Sequence, residues 1–355
     1  MKILVDMNHP AHVHYFKNFI WEMQKRGHEV LITASKKDVA YALLDHYGFD
    51  YMPMGTYGNH LMEKLINIPI MDLRLLRIAR SFNPDIFLGF GSIRGAHASK
   101  LMKKPCINLD DTEHSFQEHL LYLPFTDVVL TPKCFLKDLG KKQIRYNGYT
   151  ELAYLHPNYF TPNPRVLDEI GLSKGDTFSV LRFVSWTASH DVGQRGIRNK
   201  VELVRKLKRY GRVLITSEGI LPTELNEYKI KISPEKMHDI LYYASLYIGE
   251  GGTMASEAAI LGTHAIHIST TAKHCGIFHD LRNYGLMLIS EDENDIIHEA
   301  MNILQDKDSK SKGKRIREQL LKDKMDLTAF LVEFIENYPK SLCEMVNGKD
   351  VVNAK

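Results

Sequence analysis

Between Gly249 and Ile268 the chain reads GEGGTMASEAAILGTHAIHI. An apolar run ends at Gly249, Gly251 and Gly252 follow, and a short helical pattern begins at Thr253. Glycines let the backbone turn sharply and leave no Cβ in the way of a ligand. The first amides of a helix carry partial positive charge and lack internal partners, which suits a phosphate. Thr253 can cap the helix or donate to a phosphate oxygen. One turn further in, the acceptor-only carboxylate of Glu257 suits the two hydroxyls of a ribose. A tight strand-to-helix turn with a capping threonine is the plain alternative. No lysine follows the glycines, so the loop is not a Walker A motif.

Other reactive side chains also sit where apolar runs end. VDMNHPAHVHYF (Val5–Phe16) packs His9, His12 and His14 into six residues. Histidine titrates near neutrality and can act as a general base toward an acceptor hydroxyl, with helix capping the alternative. NLDDTEHSFQE (Asn108–Glu118) brings Asp110 and Asp111 together, as base, acceptor-holding groups or helix caps. In LRFVSWTASHD (Leu181–Asp191), Arg182, Ser185 and Thr187 can reach phosphate oxygens, and Trp186 offers a stacking face. Ser217 and Glu218 in TSEG, and Lys273 and His274 in HISTTAKHCGIF, occupy matching places after later runs.

The elements that must hold these residues alternate. KILVDM, EVLIT, PDIFLGFG, KPCINLD and TDVVLTP are predicted strands, separated by amphipathic helical patterns. A proline-rich stretch with Pro157, Pro162 and Pro164 then interrupts the pattern. Beyond it FSVLRF, RVLIT, LYIG, THAIHI and GLMLI resume it, with helices expected at about 196–210, 234–243 and 253–261. Strand–helix alternation predicts parallel sheets covered on both faces. The expected organisation is an N-terminal Rossmann-like domain over 1–155, a C-terminal one over 156–322, and a helix over 323–345 returning to the first. The charged tail 306–324 is expected to be a helix running on through LTAFLVEFIENY. Two doubly wound domains place ligands at the carboxyl ends of their strands, here in a cleft between them.

Composition narrows the class. The chain has 355 residues, 44% hydrophobic and 25% charged, with a formal net charge of +3. That balance argues against a nucleic-acid partner. Four cysteines without a CxxC pair argue against a zinc or redox motif and fit a reducing, cytoplasmic setting. No run reaches membrane-spanning length, and peripheral membrane contact stays open.

GEGGTMASEAAILGTHAIHI resembles the donor-nucleotide loop of GT-B glycosyltransferases and of the related UDP-N-acetylglucosamine 2-epimerases. The resemblance implies that Gly251, Gly252 and Thr253 face a diphosphate and that Glu257 binds the ribose. It implies that Arg182 and Ser185 lie near the donor diphosphate, and that backbone near Ile232 reads the base, commonly uracil. VDMNHPAHVHYF resembles the acceptor-side loop of GT-B enzymes such as the one that makes lipid II, with His12 at that family's histidine and Asn8–Ala11 where glycines would stand. With HPAHVHYFKN, LRFVSWTASHD and GEGGTMASEAAILG, the whole chain resembles a family of archaeal and bacterial predicted glycosyltransferases. The implied fold is α/β, GT-B. The implied activity is metal- and cofactor-free transfer of a hexose from a nucleotide sugar, a UDP-sugar by the resemblance, to a sugar, lipid-linked sugar or polysaccharide acceptor. Catalytic candidates are His12, Asp110 and Asp111; donor candidates are Arg182, Ser185, Ser217, Glu218, Ile232, Gly251, Gly252, Thr253, Glu257, Lys273 and His274. A 2-epimerase acting on UDP-N-acetylglucosamine, hydrolysing or not, and a non-catalytic nucleotide-sugar-binding protein are the alternatives.

Overall fold

A computed structural model describes residues 1–56, 58, 61–184, 197, 199–270 and 272–346. The chain forms two compact units, Met1–Tyr159 with the chain from Lys324 on, and Phe160–Asp323.

In the first unit the order is β1 (Lys2–Met7), α1 (Pro10–Lys25), β2 (Glu29–Ser35), α2 (Ala40–His46), β3 (Tyr51–Gly55), α3 (Leu61–Phe82), β4 (Ile86–Phe90), α4 (Ile93–Met102), β5 (Cys106–Leu109), α5 (Phe116–Tyr122), β6 (Val128–Pro132), β7 (Gln143–Tyr146) and α6 (Leu152–Leu155). The seven strands are all parallel, in the order β3-β2-β1-β4-β5-β6-β7. Strands covered on both faces must be apolar throughout. Accordingly Ile3, Leu4 and Val5 of β1 and Ile86, Phe87 and Leu88 of β4 are buried. Strand order reverses between β1 and β4, so their carboxyl ends open at the crevice where such sheets take ligands.

The second unit contains α7 (Arg165–Glu169), β8 (Phe178–Phe183), α8 (Lys200–Leu207), β9 (Arg212–Ser217), α9 (Met237–Tyr243), β10 (Leu246–Gly249), α10 (Gly252–Ile260), β11 (Ala265–His267), α11 (Gly276–Asn283), β12 (Met287–Ile289), α12 (Glu293–Gln305) and α13 (Ser309–Asp323). Its parallel sheet runs β12-β11-β10-β8-β9, with the reversal between β8 and β10. Leu181, Ile215, Ile248 and Ile266 from four of these strands share one core with Leu203 and Leu207 of α8.

The tail is not one helix. It stops at Asp323 and restarts as α14 (Leu327–Glu336), because the Asp326 carboxylate caps the new helix by accepting the Ala329 N–H at 3.0 Å. α14 then packs on α1 and α6. Thr328 Oγ1 and Asn18 Nδ2 both donate to the Ala153 carbonyl at 2.8 Å, and Glu336 pairs with Arg26 and His28. Leu152–Leu155 are wholly buried in α6, so the chain divides at Tyr159, beyond the start of the proline-rich stretch.

Candidate functional site

In the second unit the mouth of α10 lies at the β8/β10 reversal. Gly251 is the N-cap, and no side chain among the described residues caps the helix. The amides of Gly252, Thr253 and Met254 therefore have no intrahelical acceptor, and Thr253 beside them is exposed. The glycines differ in purpose. A Cβ at Gly252 would stand 2.8 Å from Phe278 Cζ, and one at Gly249 would stand 2.2 Å from the Tyr247 hydroxyl, so packing alone requires both glycines. Among the described residues, a Cβ at Gly251 would meet nothing closer than 3.7 Å. Packing against the described residues does not require a glycine at Gly251.

Glu257 is 5% exposed, one turn into α10. His238 of α9, equally buried, places Nε2 3.0 Å from Glu257 Oε1. Ser256 turns its hydroxyl back to the Gly252 and Thr253 carbonyls, at 3.2 and 2.9 Å. Glu250, a residue passed over in the sequence, proves structural: its carboxylate accepts the Val184 N–H at 2.9 Å and the Ile197 N–H at 2.8 Å. It thereby fixes both flanks of the segment in which Ser185, Trp186 and Thr187 fall; those three lie outside the described residues. His267 carries no signal in the sequence that marks it as a site residue. Its Nδ1 lies 3.2 Å from the Gly249 carbonyl, which can only accept, so the neutral ring leaves Nε2 as an acceptor. Burial holds its pKa down to about 4. Nε2 lies 3.7 Å from where a Gly252 Cβ would be, beside the helix mouth.

The remaining donor-side candidates occupy the same carboxyl edge with less constraint. Arg182, at the end of β8, is held by Glu218 at 2.6 Å. Ser217 donates to the Gly219 carbonyl. Lys273 and His274 are exposed on a short turn after β11. Ile232 lies in irregular backbone, half-buried; the chain touches the sheet edge a little earlier, where the Ile230 N–H donates to the Ile215 carbonyl at 3.0 Å.

In the first unit the β1/β4 reversal holds a buried ion pair. Asp6 receives Arg94 at 2.7 Å, with both side chains inaccessible, and also accepts from Thr33 and Ser92. Arg94 continues to Ser35 at 2.9 Å, and Ser35 to Asn8 at 3.1 Å. The network ends on His12: the Asn8 N–H, which can only donate, points at His12 Nδ1 at 3.1 Å. The neutral ring therefore carries its proton on Nε2 and offers a donor. Desolvation, with His9, Lys37 and Arg94 adding positive charge, keeps His12 well below the usual histidine range. His9 is the helix cap, its Nδ1 accepting the Ala11 N–H, with its own pKa pushed down to about 3. His12 packs on Phe90 and Tyr15, whereas His14 packs on Tyr154 and Tyr47. The first turn of the helix sends the two rings apart.

The two aspartates after β5 also separate. Asp110 is buried and fully engaged by His119 at 2.7 Å, the Tyr122 hydroxyl and the Thr112 N–H. Asp111 is half-buried, accepts from the Thr112 and Thr150 hydroxyls, and is raised to about 6, by desolvation first and then by Asp110 and Glu113. Of the pair, Asp111 is poised to exchange a proton near neutrality.

Over residues 1–340 the sequence matches the family described as "Protein of unknown function (DUF354)". The chain belongs to this family. Protein MJ0665 of Methanocaldococcus jannaschii, described as uncharacterized, is 26% identical over 360 residues, covering 96% of this chain and 99% of that protein. Among solved structures, one assigned as a UDP-N-acetylglucosamine 2-epimerase from Listeria monocytogenes superposes with a TM-score of 0.69 at 15% identity, over 97% of this chain and 96% of that one. The spinosyn rhamnosyltransferase SpnG with its aglycone gives 0.62 at 16% identity, over 95% of this chain and all of SpnG; its thymidine diphosphate complex gives 0.61. At such identities the likeness is one of fold: this DUF354 chain is α/β with two Rossmann-like parallel sheets, the fold of GT-B glycosyltransferases. No helix among the described residues is long and apolar enough to cross a membrane.

Proposed function

We propose that this protein binds a nucleoside diphosphate sugar at the mouth of α10 and transfers the sugar to an acceptor hydroxyl. The observation that carries this reading is the uncapped N-terminus of α10, open at Gly251 and backed one turn in by the buried carboxylate of Glu257. The amides of Gly252 and Thr253 and the Thr253 hydroxyl take the diphosphate, and Glu257 takes the ribose hydroxyls. As the bond from sugar to diphosphate breaks, negative charge grows on the leaving phosphate, where these fixed donors stabilise it. Lys273 and Arg182 supply further positive charge at the same edge of the sheet. The protein needs no metal for that task in this reading.

Asp111 is the base that takes the proton of the acceptor hydroxyl. A carboxylate raised to about 6 is ionised at neutral pH and still basic enough to accept a proton. His12 holds the acceptor through its Nε2–H rather than deprotonating it, because its Nδ1 is already occupied by the Asn8 N–H. SpnG bound to thymidine diphosphate and to its aglycone is an example of the fold taking both kinds of ligand. The test is turnover of UDP- and TDP-sugars with and without an acceptor panel. Release of nucleoside diphosphate that depends on an acceptor supports transfer. Conversion of UDP-N-acetylglucosamine without any acceptor supports the 2-epimerase reading instead.

A further inference from the structure

Helix α3 is apolar on two faces. Met71, Leu75, Leu76 and Ala79 are buried in the core of the first unit. The opposite face exposes Ile66 (63%), Ile70 (55%) and Leu73 (57%). Spacings of four and three residues put these three on one stripe, and Arg77 and Arg80 extend it. Both arginines are exposed and have no ion-pair partner among the described residues, and Arg74, also exposed, flanks them with one N–H on the Met54 carbonyl. From Ile66 to Arg80 the stripe runs about 21 Å along the helix. The acids described on this helix are Glu63, exposed near its start, and Asp72, which His97 holds at 2.7 Å.

We propose that the exposed face of α3 docks on an anionic lipid membrane, with Ile66, Ile70 and Leu73 entering the headgroup boundary and Arg77 and Arg80 meeting lipid phosphates. Ile66, Ile70 and Leu73 are each more than half exposed, so packing on the described residues does not account for large aliphatic side chains there. A stripe joining aliphatic residues to cations is the pattern of an interfacial helix, which lies in the membrane plane and draws on both apolar burial and charge. The helix is 22 residues long but does not span: no described helix is apolar enough to do so. A second copy of the chain is a poor occupant. It would present the same arginines, with only Glu63 on its own α3 to answer them. The proposal stands on this surface alone and is independent of the sugar-transfer reading.

The test is co-sedimentation of the full chain with vesicles of phosphatidylcholine alone and of phosphatidylcholine mixed equally with phosphatidylglycerol. Binding is expected to the anionic vesicles and not to the neutral ones, and to weaken in high salt. Arg77→Ala/Arg80→Ala lowers partitioning by about 25-fold, roughly fivefold per arginine. Ile70→Ser/Leu73→Ser lowers it by about tenfold or more, with an unchanged thermal midpoint because both positions face water. No sedimentation with anionic vesicles overturns the proposal, as does sedimentation that both double variants leave intact. So does a self-association that Ile70→Ser/Leu73→Ser abolishes in a protein that ignores vesicles.

Discussion

His238 Nε2 and Glu257 Oε1 lie 3.0 Å apart, both side chains buried, and so the carboxylate one turn into α10 is locked in orientation before any ligand arrives. Preorganised groups bind more tightly because no rotamer freedom is lost on binding. Glu257→Ala is predicted to weaken nucleoside diphosphate binding by about 1.5–3 kcal/mol, the range for losing a charged hydrogen-bond partner. Calorimetric titration of the variant checks it. Unaltered affinity for every diphosphate tested removes Glu257 from the site.

Gly251 and Gly252 separate packing from binding. Gly251→Ala meets no described residue closer than 3.7 Å, so its expected stability cost is about 1 kcal/mol or less, while the methyl group stands where a diphosphate would approach. Gly252→Ala collides with Phe278 and costs about 1–3 kcal/mol through overpacking. Thermal melts with and without nucleotide distinguish the two. A Gly251→Ala protein that binds diphosphates normally places the ligand elsewhere.

What could be read from the sequence follows from what is local. The strand runs, the opening of α10 and the start of α1 depend on neighbours along the chain. β3 is not legible as a strand because Pro53 breaks its pattern; it is an edge strand, where a missing N–H is tolerated. β7 is four residues at the other edge. The tail looks continuous in the sequence because its break rests on a single cap, Asp326. Site roles were less legible for the same reason. The purpose of Gly252 depends on Phe278, and the bond that holds Asp6 comes from Arg94, 88 positions away. By residue type His12 is a candidate base; a backbone amide from Asn8 decides which nitrogen holds the proton.

The Asp6–Arg94 pair is predicted to be essential to the first unit. Removing one partner leaves the other charge buried and unpaired, which costs about 3–5 kcal/mol. Asp6→Ala should therefore show a large fall in the denaturation midpoint. A near-normal midpoint would mean that water reaches Arg94.

Acid should destabilise the protein through His9 and His12. Their folded-state pKa values lie below the unfolded value near 6.5, so the unfolded chain binds more protons as pH falls. The stability held above pH 6.5 is lost progressively on descending toward about 3, the value of His9. Asp111 acts in the opposite direction: its pKa is raised to about 6, so stability falls as pH rises from about 4 through 6. In His9→Asn, which can still cap α1, the acid loss should shrink. Urea titrations over this pH range read both slopes, and identical slopes in parent and variant would contradict the assignment.

For turnover, Asp111 as base predicts a rate that falls as pH drops below about 6, with no limb near 6.5 from His12. Asp111→Asn should lower kcat by about 10²–10⁴-fold with little change in donor affinity. His12→Asn should act mainly on the acceptor KM. A large kcat loss in His12→Asn with a normal acceptor KM would return the role of base to His12.

The most direct measurement is a titration of the intact protein with nucleoside diphosphates, the corresponding monophosphates and nucleosides, read by calorimetry and by thermal shift. If the α10 mouth is a diphosphate site, at least one nucleoside diphosphate binds, its monophosphate binds at least about tenfold more weakly, and saturation at 100 times Kd stabilises the fold by about 2.7 kcal/mol. Diphosphate binding that disappears in Gly251→Ala is the predicted result. Absence of any heat or shift with every nucleoside diphosphate and nucleotide sugar at millimolar concentration would contradict it.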